Sequence, residues 1–91
     1  MSLYVIIFEI KKGAKTSFIP LFDEIKKKSW WHYMSNSYIV KSNETANELF
    51  NRLKPHLNKE IILLVFELGK DRQGWLTEQA WEWIRENKTQ N

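Results

Sequence analysis

The sequence predicts a small α+β domain whose elements run β-α-β-β-α-β and then add a helix. Three observations carry this. Two apolar runs, Leu3–Ile10 and Ile61–Leu68, are rich in β-branched and aromatic residues and close at Lys11-Lys12-Gly13 and Gly69. Apolar residues recur at helical spacing in the segments that follow each strand region. Two aromatic and β-branched runs in the middle of the chain are separated by three small polar residues. With 91 residues, 43% of them apolar and 27% charged, the chain forms one domain, residues 1–91, with a single compact fold.

Leu3–Ile10 is too short and too β-branched for a helix and reads as a buried strand. Thr16-Ser17 offers cap chemistry for a helix carrying Phe18, Leu21, Phe22 and Ile25 on one face. Pro20 falls in its first turn, where the missing N–H costs no intrahelical bond. Trp30–Met34 and Tyr38–Lys41 form a hairpin across Ser35-Asn36-Ser37. Ser42-Asn43 is the expected cap of a second helix with Ala46, Leu49, Phe50 and Leu53 inward, ended by Pro55. Ile61–Leu68 is the fourth strand, followed by a polar loop at 69–74. Thr77 caps a last helix with Ala80, Trp83 and Ile84 inward, and Leu76 with Trp81 forms a hydrophobic staple across that cap. From Lys88 onward the helix is expected to fray.

This order is the ferredoxin-like plan: an antiparallel sheet with the first and third strands central, two crossover helices on one face, and here a C-terminal helix besides. A sheet covered on one face alternates apolar and polar residues. In Leu3–Ile10 and Ile61–Leu68 both alternating sets are apolar, broken only by Glu9 and Glu67. The second face therefore needs cover from the tryptophan-rich helix, a second subunit, or both. Because large exposed apolar patches are uncommon on soluble monomers, a homodimer is expected.

The composition narrows function. No Cys is present, which excludes a disulfide scaffold, a thiolate metal site and a cysteine nucleophile. No apolar stretch is long enough for a membrane helix, and the first residues lack a secretory pattern, so no membrane partner and a cytoplasmic location are expected. The net charge of +3 is concentrated in residues 1–60, with ten basic side chains against six acidic ones. A polyanion partner, RNA or DNA, is compatible with this balance without being required by it. Lys26-Lys27-Lys28 is read as a helix end complementing the dipole.

Four groups of residues bear on chemistry. Glu9, at the end of an apolar strand, is a candidate metal ligand or base; its structural alternative is a strand-end residue at the water boundary. The loop Lys11-Lys12-Gly13-Ala14-Lys15-Thr16-Ser17 puts three lysines and free amides before a helix, an arrangement suited to phosphate although it is no Walker motif; its structural alternative, with equal weight, is a solvated loop. All five tryptophans lie at 30, 31, 75, 81 and 83. Trp30 and Trp31 point to opposite faces of a strand. Together with Trp75 and Trp81 they are read as packing or interface residues in preference to a base-stacking platform. His32 reads as a packing residue, and His56 as a cation at a helix end.

Trp30-Trp31-His32-Tyr33-Met34, Ser37-Tyr38-Ile39-Val40, Leu53-Lys54-Pro55-His56-Leu57 and Gly74-Trp75-Leu76 leading into Trp83-Ile84 resemble a group of short bacterial proteins labelled SinR-like. The resemblance spans nearly the whole chain, and its most specific part is the Trp-Trp-His hairpin. That group is similar in size and element order to the CRISPR-associated Cas-two proteins and the VapD-type toxins. The resemblance implies a ferredoxin-like homodimer that binds or cuts nucleic acid. In the Cas-two family an Asp ending the first strand is the proposed metal ligand, and Glu9 holds the matching place. The SinR-like proteins tend to have Tyr-Asp where this chain has Phe8-Glu9. The longer carboxylate would set a metal about one methylene further out.

The expectation is a non-enzymatic, Cas-two-like homodimeric binding or assembly module that contacts nucleic acid through Lys11, Lys12 and Lys15. One alternative is a nuclease dependent on Mg²⁺ or Mn²⁺ and using paired Glu9 side chains; otherwise no cofactor is expected. The other is an interaction or immunity subunit recognised through its tryptophans.

Overall fold

The computed structural model describes residues 1–87, so the fraying expected from Lys88 lies outside the described residues. Four strands, β1 (Ser2–Ile10), β2 (Ser29–Met34), β3 (Ser37–Ser42) and β4 (Ile61–Glu67), form one sheet in the order β2-β3-β1-β4. Each neighbouring pair is antiparallel, with β1 and β3 at the centre as expected. Three helices complete the α+β architecture: α1 (Ile19–Ile25), α2 (Ala46–Leu53) and α3 (Glu78–Asn87). Helix α2 ends at Leu53 and passes directly into a 3₁₀ turn at Lys54–His56; Lys54, although it precedes Pro55, keeps helical dihedrals of φ −52° and ψ −40°.

Strand alternation sorts the core into two clusters. On the first face, Tyr4, Ile6 and Phe8 of β1 and Tyr38 and Val40 of β3 pack beneath Leu21 and Ile25 of α1 and Leu49 and Leu53 of α2. The intervening residues Leu3, Val5 and Ile39 point the other way and are closed over by Ile84 of α3, with Trp81 and Trp83 alongside. Burial of each such side chain contributes about 1.5–3 kcal/mol, so leaving either cluster open would remove a large part of a small domain's stability.

Three local details differ from the expectations. Helix α1 begins after Phe18, with no side chain capping it; Ser17 accepts only a long 3.5 Å bond from the Ile19 amide, and Thr16 is engaged elsewhere. For α2 the cap is Thr45, not Ser42-Asn43. Its hydroxyl accepts from the Glu48 amide at 3.1 Å, and the Glu48 carboxylate accepts from the Thr45 amide at 2.9 Å, a reciprocal capping box. Ser42 is instead the last residue of β3, where its hydroxyl accepts from the Glu44 amide. The hairpin turn is Ser35-Asn36 alone. Ser37 is the first residue of β3, buried because its hydroxyl donates to the Tyr33 hydroxyl at 2.9 Å.

Neither Ser35 nor Asn36 has positive φ, so the turn is not of the mirror-image types that match strand twist. A register irregularity between Trp31 and Met34 absorbs the mismatch. The cap expected at Thr77 is present: its hydroxyl accepts from the Ala80 amide at 3.2 Å.

The two polar caps should be separable in unfolding experiments. Thr45→Ala removes the capping box and is expected to cost about 1 kcal/mol, lowering the melting temperature by roughly 4–8 °C for a domain of this size. Asn43→Ala, at the exposed member of the Ser42-Asn43 pair expected from sequence to cap α2, should leave both the urea midpoint and the melting temperature unchanged.

Candidate functional site

Pairing places Glu9 opposite Ile62, on the face that α3 covers only in part. Helix α3 lies over the β1-β3 side of that face. Toward β4 the surface stays open: Ile62 is 68% exposed, Leu64 55%, Phe66 42% and Ile7 37%. These four side chains share one face, because Ile7 pairs with Leu64, Glu9 with Ile62 and Val5 with Phe66. A shallow surface pocket of about 330 Å³ lies in this region, lined by Ile7, Glu9, Asn36, Ile62 and Leu64 among others. Glu9 is thus an exposed carboxylate beside an apolar strip. Among the described residues, no three His, Asp or Glu side chains gather into a metal-ligating group, so Glu9 has no ligand set around it within one chain.

The lysine loop departs most from expectation. Gly13, at φ +80°, sits third in a turn closed by the Ala14 amide on the Lys11 carbonyl at 3.0 Å. The two amides that follow are already occupied. Lys15 N–H donates to Glu60 Oε2 at 3.0 Å and Thr16 N–H to Glu60 Oε1 at 3.1 Å, and the Thr16 hydroxyl also donates to that carboxylate. Asn58 braces the arrangement, donating to Thr16 Oγ1 at 3.0 Å and accepting from the Glu60 amide at 2.7 Å. An internal carboxylate therefore fills the place read from the sequence as a phosphate cradle. These bonds, led by that from Thr16, hold the Glu60 pKa below its ordinary value. Lys11, Lys12 and Lys15 remain exposed and, among the described residues, belong to no ion pair.

The tryptophans divide by environment. Trp30 pairs with Val40 and Trp31 with Ile39, so the two face opposite sides as expected. Trp30 is 39% exposed, its ring 6.1 Å from Tyr38 and 5.1 Å from Lys26 Nζ. His32 stacks on Tyr38 at 4.2 Å, a packing role. Trp31 and Trp81 are half-buried, and Trp81 packs against the chain's own second cluster. Trp75 is fully exposed. Of the four tryptophans expected at an interface, Trp30 and Trp75 present the most free surface.

The other charged cluster is structural. Arg52 on α2 donates to Glu44 at 3.0 and 3.1 Å, and to the Glu24 carboxylate and carbonyl at 2.9 and 2.6 Å, joining α2 to the end of α1. Lys27 pairs with Glu24 at 3.1 Å, and His56 lies 3.5 Å from the same carboxylate. With Lys26 over Trp30, two of the three lysines in that run are engaged locally. The Arg52 guanidinium holds both Glu24 and Glu44 below the ordinary carboxylate value. No family model, curated protein or solved structure matches the chain.

The residue missed from sequence is Glu60; Ile62, Leu64 and Phe66 belong to the second apolar set for which a cover was expected. The antiparallel partnership of the first and fourth strands carried a signal for Glu60: it sets Ile61 opposite Ile10 and so brings Glu60 beside Lys11.

Lowered carboxylate pKa values make a directional prediction. Glu24 and Glu44 stabilise the fold fully above their ordinary pKa of 4.5, and that contribution is lost as pH falls through their lowered folded values. The urea midpoint should therefore drop on acidification below pH 4.5, and the drop should be shallower in Glu24→Gln/Glu44→Gln. Glu60→Ala should abolish hydrogen-exchange protection at the Lys15 and Thr16 amides while leaving that of Ile6 intact.

Proposed function

We propose that this chain is a ferredoxin-like, Cas-two-like homodimeric assembly module that pairs through the open half of its second sheet face. The observation that carries this reading is the strip Ile7, Ile62, Leu64 and Phe66, four large apolar side chains on one face left uncovered by α3. Such a contiguous patch is unfavourable in water, and a second copy offers the same patch in return, as a two-fold contact requires. Edge strand β4 borders the strip and adds unpaired backbone groups to it.

Nucleic acid is the ligand proposed for the assembled dimer, contacted by Lys11, Lys12 and Lys15. With the loop amides held by Glu60, these lysines act as phosphate-seeking charges on flexible stems and contribute no base recognition. Their exposure and freedom from ion pairs support this role. Glu60 gives the loop a fixed shape that holds the three stems at one end of the sheet.

Light scattering at micromolar concentration is expected to give a mass about twice the chain's 11.0 kDa. Leu64→Asp/Phe66→Asp should return it to the single-chain mass without loss of near-ultraviolet circular dichroism. A wild-type protein of single-chain mass would refute the reading. Binding to duplex DNA or RNA should weaken as salt rises, and Lys11→Ala/Lys12→Ala/Lys15→Ala should weaken it similarly for all sequences. Cleavage dependent on Mg²⁺ or Mn²⁺ and lost in Glu9→Gln would replace the assembly reading with a nuclease.

A further inference from the structure

Between the sheet and α3, on the side away from the open strip, lies a cavity of about 270 Å³. Its walls are apolar: Val5 and Ile39 of the sheet face Trp81 and Ile84 of the helix, and the loop that follows β4 borders its open side. The volume is close to the lower end of the range for small-molecule sites, roughly 300–1,000 Å³. Fully exposed Trp75 stands among its lining residues and forms a rim.

The polar groups of the lining share one character. Tyr33 accepts a hydrogen bond from Ser37 at 2.9 Å, leaving its own O–H to donate. Gln73 uses its carbonyl oxygen to accept from the Gly74 amide at 3.0 Å, which leaves its NH₂. Arg72 spends one Nη1 bond on the Gly69 carbonyl at 2.6 Å, and among the described residues its other N–H groups have no protein acceptor. No Asp or Glu lines the cavity. Three side-chain donors, one of them cationic, therefore border an apolar space with no side-chain anion to meet them. The complement is a molecule that is apolar over most of its surface and carries a single negative acceptor group.

We propose that this cavity binds a small monocarboxylate with an apolar body, the carboxylate taken by Arg72 with Tyr33 and Gln73, and the body by the walls beside Trp81. This site is separate from the proposed dimer face and stands whether or not that face pairs.

The test uses 1-naphthoate as probe, followed by calorimetry and by methyl and indole NMR of the full chain. Saturable binding of one probe per chain is expected, with shifts at Ile39, Ile84 and Trp81. Arg72→Gln, or the neutral 1-naphthamide in place of the acid, should weaken binding about tenfold, the loss of one charge-assisted hydrogen bond. Tyr33→Phe, which keeps the ring, should weaken it several-fold, and Arg85→Gln, an exposed arginine outside the cavity, should not change it. The proposal is overturned by absence of binding to folded protein, or by equal affinity for acid and amide. Shifts confined to Ile62 and Leu64 also overturn it. A change in assembled mass on Arg72→Gln with no probe binding would mark the cavity as a protein contact and sink it equally.

Discussion

The architecture depends on a constraint carried by one strand: β1 is apolar toward both sides of the sheet and lies at its centre. Tyr4, Ile6 and Phe8 demand cover from one direction, Leu3, Val5 and Ile7 from the other. Two crossover helices satisfy the first set. The second set is satisfied unevenly, since α3 reaches Leu3, Val5 and Ile39 but stops short of Ile7 and the neighbouring β4 residues. The open strip and the half-open pocket beneath α3 are two results of that one partial closure. Where the helix lies over the sheet without filling the space beneath it, a pocket forms; where it does not reach, a patch remains.

Charge organises the opposite layer. Arg52 holds two carboxylates from different segments and the carbonyl at the end of α1, fixing the relative position of the two crossover helices. A guanidinium suits this task because its planar fork serves several acceptors at once, where an ammonium acts as a point charge. Glu60 does comparable work at the other end of the chain path, where its carboxylate gathers three donors of a loop that has little apolar anchorage of its own.

Much of this was legible from sequence where one residue type admits one physical solution. The β-branched runs could only be strands, their two-sided apolar character required a second cover, and Thr77 before an apolar periodic segment marked a helix start. Legibility failed where several polar residues competed for one role. Ser42, Asn43 and Thr45 are all capable caps, and only the presence of Glu48 three residues after Thr45 selects it. The occupancy of the lysine-loop amides was hidden for a related reason. Its unpaired amides were visible, but their acceptor lies more than forty residues away, reached only through the pairing of β1 with β4. The donors around the cavity were invisible in the same way, because Tyr33 and Arg72 line one pocket only when the post-β4 loop folds back over the sheet.

The position of α3 in the chain has a consequence for biosynthesis. All four strands and both crossover helices precede it in the chain, so the sheet leaves the ribosome ahead of the element that shields its rear surface. Throughout that interval Leu3, Val5 and Ile39 face water together with Ile62, Leu64 and Phe66, forming one continuous greasy plane. A nascent intermediate of this kind is a natural client for holding chaperones and is prone to premature self-association.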